Sequence, residues 1–228
     1  MKKELDMYGA RNRPNASRRC DGAETRNRII ECAGRLIAKQ GYARTTSKSI
    51  CEAAKVNMAA VNYHFGSREG LYLAVLTEAH RYLLSLEQLK ALQLSTLAPK
   101  KKIEAFLDLY INNTLIGDDW RMELWAREEM SPSPLHAEIL QQLAIPKLGV
   151  VVKIFAEYME LEETDPRIYN YITSSVAPFM LLFFGRYSCA RSLLPDAYAE
   201  LPKTAEELKY FVFAGLEALK IRLKNQEN

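Results

Sequence analysis

Asn62, Tyr63 and His64 put an amide, a phenol and an imidazole side by side, directly after the small pair Ala59 and Ala60. That set suits contact with nucleic acid. The Asn62 amide carries the donor and acceptor that match the major-groove edge of adenine, while Ala59 and Ala60 let a backbone approach base edges and can touch a thymine methyl. Tyr63, His64 and Arg68, the last beyond the Gly66-Ser67 turn, suit phosphate oxygens, which hold register without reading sequence. Met58 opens the same segment and faces at least partly outward.

To reach a groove, these groups must stand on the second helix of a helix-turn-helix, whose N-terminal half meets the bases. The stretch from Thr45 to Phe65, TTSKSICEAAKVNMAAVNYHF, has that form. Thr46 or Ser47 can cap a first helix over about 47–54, because a side-chain oxygen accepts from the free amides of a first turn. Ile50, Ala53 and Ala54 give it a narrow apolar stripe, leaving Lys48, Ser49 and Glu52 wet. Lys55-Val56 forms the turn, Asn57 caps the second helix over about 58–64, and Val61 and Phe65 anchor it. Thr46, Ser47, Lys48 and Asn57, at the two helix starts, join the expected DNA contacts.

Residues 24–80 resemble the DNA-binding domain of the TetR family of transcriptional regulators. Four signs carry the resemblance, in order: a first helix ending in Gly41-Tyr42, the TTSKSI stretch, YHF closing the second short helix, and GSREGLY leading into the next. The resemblance implies a homodimer on a roughly palindromic operator, usually repressing, and released when a small molecule occupies the C-terminal domain. Two positions depart from the family pattern. Lys55 stands where Gly is common, and a non-Gly residue in a left-handed turn costs roughly 1 kcal/mol. Asn62 stands where many relatives carry a second aromatic, so their operator preference does not transfer.

The charge distribution agrees with this. The net charge is +3, but residues 1–70 hold 14 Lys and Arg against 7 Asp and Glu, and the remaining 158 residues sum to −4. A basic end on an acidic body is the footprint of a chain that meets nucleic acid at one end. Residues 1–22 read as a disordered basic arm, polar and broken by Pro14, in which Lys2, Lys3, Arg11, Arg13, Arg18 and Arg19 either follow DNA or are simply solvated. The helix-turn-helix domain spans 23–68, opening with a support helix over about 24–40. The remainder, 69–228, reads as a helical effector-binding and dimerisation domain whose first helix, 69–94, connects it to the head. Helices follow over about 101–116, 119–129, 134–161, 165–192 and 204–225, giving an all-α fold with no period-2 strand. The longest unbroken apolar run, 177–184, is far below the roughly 20 residues of a membrane span. A soluble, cytoplasmic protein with no membrane partner is the expectation.

Apolar residues crowd the last two helices, and Phe179, Phe183, Leu208, Phe211, Val212, Gly215 and Leu219 are the expected dimer interface, on the family's four-helix pattern. Between 106 and 136, aromatic and charged residues concentrate. Phe106, Tyr110, Asn113, Trp120, Arg121, Trp125, Glu128 and Glu129 are the expected lining of an effector pocket, although any one of them could instead fill core or pair at a surface. The segment REEMSPSPL resembles the C-terminal domain of the CecR-like branch of the family, which implies transporter or efflux genes as targets and a drug-like or metabolite ligand.

Catalysis is not expected. Adjacent Glu128 and Glu129 point about 100° apart on a helix and do not converge on one atom, and no glycine-rich phosphate loop, nucleophile elbow or HExxH is present. No metal or cofactor is expected either, since Cys20, Cys32, Cys51 and Cys189 are scattered without a CxxC pair. The competing reading is a DNA-binding regulator or architectural factor controlled by a protein partner. A closed, ligand-sized cavity within 101–190, together with a change in operator affinity when it is filled, distinguishes the two.

Overall fold

The computed structural model describes residues 15–117 and 119–226, with the side chains of 15–20 and 190 set aside. Among the described residues every regular element is helical. The head comprises α1 (Asn15–Gln40), α2 (Ser47–Ala54), α3 (Met58–Phe65) and α4 (Arg68–Leu83). The expected arm is shorter than the sequence suggested. Residues 15–22 already belong to α1, because Ala16, Arg18 and Arg19 are good helix formers and no proline intervenes. Residues 1–14 lie outside the described residues, and with them the basic groups from Lys2 to Arg13.

Local chemistry sets the head's short helices. Thr46 Oγ1 accepts from the Ser49 amide at 3.1 Å and so starts α2, and Asn57 Oδ1 accepts from the Ala60 amide at 2.9 Å and starts α3. Between them Lys55 is left-handed, φ 53° and ψ 47°. The Lys55 amide bonds to the Glu52 carbonyl and the Val56 amide to that of Cys51, a Schellman closure that satisfies carbonyls a helix end otherwise orphans. Ile50 and Ala54 are buried, but Ala53 faces outward. Gly66 turns the chain at φ 73°, and Ser67 caps α4 through the Gly70 amide at 3.0 Å.

The connecting helix breaks. α4 ends at Leu83, Leu84 is extended, and Ser85 caps a new helix, α5 (Leu86–Leu94), by accepting from Gln88. Then follow α6 (Pro99–Ile111), a π turn over 112–116, α7 (Trp120–Met130), α8 (His136–Ile139), a second π turn over 140–144 and α9 (Ile145–Met159). The last three run on as one helix with a wide turn inside it. α10 (Arg167–Gly185) stops short of the expected 192, giving way to the short α11 (Ala190–Leu193) and α12 (Pro195–Ala199) before α13 (Leu201–Lys224).

Two cores result. One packs Ile29, Ile37, Ile50, Val61, Leu71 and Tyr72 of the head together with Trp120 and Leu124 of α7. The other packs α5, α6, α9, α10 and α13 around Phe106, Trp125, Phe155, Phe179 and Phe183. The head core therefore includes residues beyond 68. Gly34 shows how closely α1 and α7 meet, since a Cβ there would lie 2.2 Å from the Trp120 ring. The segments 136–159 and 167–185 are long and apolar enough by composition to cross a membrane, a property that run length alone misses. In this fold their apolar faces are core, through Ile154 and Phe155 on one and Ile168, Phe179 and Phe183 on the other.

Candidate DNA-reading surface and effector cavity

Helix α3 buries Val61 against the head and turns its other face out. Ala59 and Asn62 are exposed, Tyr63 is 85 % exposed, and Ala60 and His64 are half-buried. Thr46, Lys48, Asn57 and Met58, at the starts of α2 and α3, are also exposed, and Ser47 is half-buried. The Asn57 side-chain oxygen is held by the cap, leaving its amide nitrogen free to face outward. Tyr63 packs only edge-on with His64, ring centroids 5.1 Å apart, and its exposure supports its use on a phosphate.

Arg68 is a correction. Its Nη2 donates to the carbonyls of Tyr42 at 2.6 Å and Thr45 at 2.8 Å, and its guanidinium lies 4.2 Å from the centroid of the Tyr42 ring. The side chain fastens the loop before α2, so its charge is engaged within the head. The carbonyls at 42 and 45 lie between helices, outside any helical ladder, and a charged group supplies a bond to each at once.

A cavity of about 410 Å³ opens between α4, α6, α7, α9 and α10. Of the eight residues expected to line it, Phe106, Tyr110, Trp125 and Glu129 do. The other four are engaged elsewhere. Asn113 donates to the carbonyls of Tyr82 and Leu83 at 3.0 and 3.1 Å, capping the end of α4. Trp120 lies in the head core. Arg121 binds Asp119, Glu31 and Glu78 at 3.1 Å each and borders a separate polar groove with Arg26, Arg28 and Arg81. Glu128 is buried, accepting from Tyr72 at 2.5 Å and from the Ser133 amide and hydroxyl.

The sequence reading missed the opposite wall. His80, Leu83 and Leu84 come from α4 and its end, Leu140, Ala144, Lys147 and Val151 from the second π turn and α9, and Ile172, Val176 and Met180 from α10. By type these apolar residues are indistinguishable from core. Lys147 was the available signal, a lysine inside the apolar run 143–156 and yet buried. Its Nζ donates to the His80 carbonyl at 2.5 Å, which places a cation against the negative end of α4. Burial, reinforced by Arg81, pulls the Lys147 pKa down to about 8. Burial first, then Lys147 and His136, lowers that of His80 to about 4, so the imidazole is neutral. Burial and the Glu129 carboxylate raise the Tyr110 phenol well above the ordinary tyrosine value.

Polar and aromatic contacts run from cavity to head. Glu129 lies 3.4 Å from His136, and His136 lies 3.7 Å from Glu128. Glu128 accepts from Tyr72, Tyr72 stacks on Tyr42 at 4.1 Å between ring centroids, and Tyr42 carries Arg68. Helices α4 and α7 each contribute to both the head core and the cavity wall.

The expected dimer residues divide. Phe179 and Phe183 are 0 % exposed and Val212 is buried, all within the body core. Leu208 and Leu219 are partly buried against that core. Phe179, Phe183 and Val212 are corrections, since on α10 the stripe 172, 175, 179, 183 faces inward and the outward stripe carries Leu181, whereas Leu208 and Leu219 keep part of their surface. Phe211, 70 % exposed, and Gly215 are on the surface. Tyr210 and Ile221, which the sequence reading did not single out, are exposed on the same helix.

Comparison with known proteins agrees with this architecture. The profile of the bacterial regulatory proteins of the tetR family matches residues 29–75. That of the C-terminal domain of the HTH-type transcriptional dual regulator CecR matches residues 99–216. The HTH-type transcriptional regulator TtgR of Pseudomonas putida is 42 % identical over 60 residues, covering 26 % of this chain and 29 % of the relative. The uncharacterised HTH-type transcriptional regulator YvkB of Bacillus subtilis is 39 % identical over 54 residues, again 29 % of the relative. The matched stretch thus spans under a third of these relatives. A solved chain from Mesorhizobium loti described as a TetR-family transcriptional regulator superposes with a TM-score of 0.55 at 16 % identity, over 86 % of this chain and 95 % of that one. A second structure, described as the molecular basis for control of antibiotic production by bacterial hormones, gives 0.53 at 24 % identity, over 83 % and 96 %. Both share the fold.

Proposed function

The chain belongs to the TetR family of transcriptional regulators, and from that premise we propose that it is a homodimeric repressor released from a palindromic operator by a small molecule held in the cavity. It is a DNA-binding regulator, and the family is not one of enzymes. The observation that carries the effector reading is the sharing of α4 and α7. A ligand pressing on His80, Leu83 or Trp125 touches the same two helices that bear Tyr72, Leu76, Trp120 and Leu124 of the head core. Linkage then requires that a ligand which loosens DNA bind the DNA-free form more tightly by the same factor. A cavity of this size favours a small effector over control by a protein partner.

Within that function, Asn62 reads bases, Ala59 and Ala60 admit close approach, and Thr46, Ser47, Lys48, Asn57, Tyr63 and His64 hold the backbone. The exposed face of α10 and α13, with Leu181, Tyr210, Phe211, Gly215 and Ile221, is the proposed contact with a second copy. Transporter or efflux genes are the proposed targets, on the strength of the CecR-type domain, and the cytoplasm the proposed site of action.

DNase footprinting on the DNA flanking its own gene, at near-physiological salt, tests the reading. The expected result is one protected inverted repeat with half-site centres about 34–36 Å apart, with Asn62→Ala changing which operator variants are preferred. Equal weakening on every variant refutes the role of Asn62. A monomer in solution, or protection without two-fold symmetry, refutes the dimeric repressor.

A further inference from the structure

Three rings, Phe106, Tyr110 and Trp125, and aliphatic residues of α9 and α10 make most of the cavity wall. Its charged groups are Lys147 and Glu129. Lys147 caps the His80 carbonyl at the end of α4, and His80 is neutral. Glu129 differs. Among the described residues its one ion-pair partner within reach is His136, at 3.4 Å, and that imidazole also faces the buried Glu128. Two carboxyl groups flank one imidazole, so this corner holds more acidic than basic side chains.

The second observation is independent of the first. Tyr110 is 4 % exposed, and its hydroxyl has no hydrogen-bond partner among the described residues. Buried hydroxyls nearly always find a partner, and this one, on a residue that lines the cavity, is left without one. Trp125 and Glu129 are four apart on α7 and therefore share a face. An indole face attracts cations more strongly than any other side-chain ring.

We propose that the effector is a lipophilic cation: a largely apolar molecule whose positive charge sits between the Glu129 carboxylate and the Trp125 ring, with the Tyr110 hydroxyl free to donate to an acceptor on it. This ligand class rests on the cavity being the effector site. An apolar anion would have to find its counter-charge at Lys147, whose ammonium already serves the end of α4.

Tetraphenylphosphonium and tetraphenylborate have the same shape and opposite charge. Calorimetric titration of each into the full-length protein, without DNA, should give at least about tenfold tighter binding of the phosphonium. Glu129→Gln should weaken it about tenfold and bring the two ions together. Equal or tighter binding of the borate, binding of neither ion, or a ratio unchanged by Glu129→Gln overturns the proposal. Footprinting with the phosphonium separates this from the functional reading. Cation binding that leaves operator affinity unchanged refutes release by this site yet keeps the cation preference. A preference for the borate refutes the class and leaves ligand release standing.

Discussion

Replacing Tyr72 by Phe tests whether the buried link between head and body is energetically real. The substitution keeps the ring and its stack on Tyr42 and removes only the hydroxyl that donates to Glu128 Oε1 at 2.5 Å. Glu128 is buried, and the bonds it keeps, from the Ser133 amide at 3.1 Å and hydroxyl at 2.7 Å, both fall on Oε2. Hydrogen bonds to a charged partner contribute about 1.5–3 kcal/mol net, so Tyr72→Phe should cost about 2 kcal/mol. For a chain of this length that corresponds to a fall in Tm of about 4–8 °C. Burial first and Glu128 second raise the pKa of this phenol far above the ordinary value. The contribution is therefore complete below the unfolded tyrosine pKa of about 10 and is lost only as pH rises through the higher folded value. Urea denaturation of the single variants and of Tyr72→Phe/Glu128→Gln gives the coupling energy. A loss under about 0.5 kcal/mol, or strict additivity in the cycle, would sink the argument.

Arg68→Ala should destabilise the head by about 2 kcal/mol, because it removes two charge-assisted bonds to the 42 and 45 carbonyls, while leaving the salt dependence of operator binding unchanged. Lys48→Ala should do the reverse, lowering the slope of log K against log salt by about 0.9 with little loss of stability; a salt slope that falls with Arg68 would restore it to the DNA. His80 carries a pH signature. Its folded pKa of about 4 lies below the ordinary 6.5, so the unfolded chain binds the extra proton first and stability is lost as pH falls through that window. Between about pH 7 and pH 5 the loss from this group should be about 2 kcal/mol, and His80→Gln should remove it; equal acid sensitivity of the two proteins excludes His80 as the source.

The parts of the head written in neighbouring residues were legible. A hydroxyl or amide at 46 and 57 starts a helix wherever it lies in the fold, and Lys55 had to be left-handed for the two helices to meet. Partners far away in the chain were not. Arg68 reads as a surface cation until the loop more than 20 residues before it presents the carbonyls of Tyr42 and Thr45. Asn113 reads as a pocket amide until α4 proves to end beside it. Periodicity could also not say which of two apolar stripes on α10 faced inward, because Phe179 and Leu181 are equally apolar and only the packing of α6, α9 and α13 separates them. The same ambiguity hid Val176 and Met180 in the cavity wall. The break at Ser85 was lost because the apolar residues of 69–94 stay at helical spacing on both sides of it.

The placement of Trp120 bears on how this chain can be recombined. Five residues along α7, Trp125 belongs to the cavity while Trp120 fills the space left by the missing side chain at Gly34. A head taken from a relative and joined at residue 68 would arrive with a first helix shaped for someone else's indole. Where that relative carries a side chain at the position of Gly34, the graft would clash before it ever met DNA. Exchange of operator specificity between such regulators is thus confined either to the exposed face of α3 or to grafts that carry α7 with them, and so a piece of the ligand site as well.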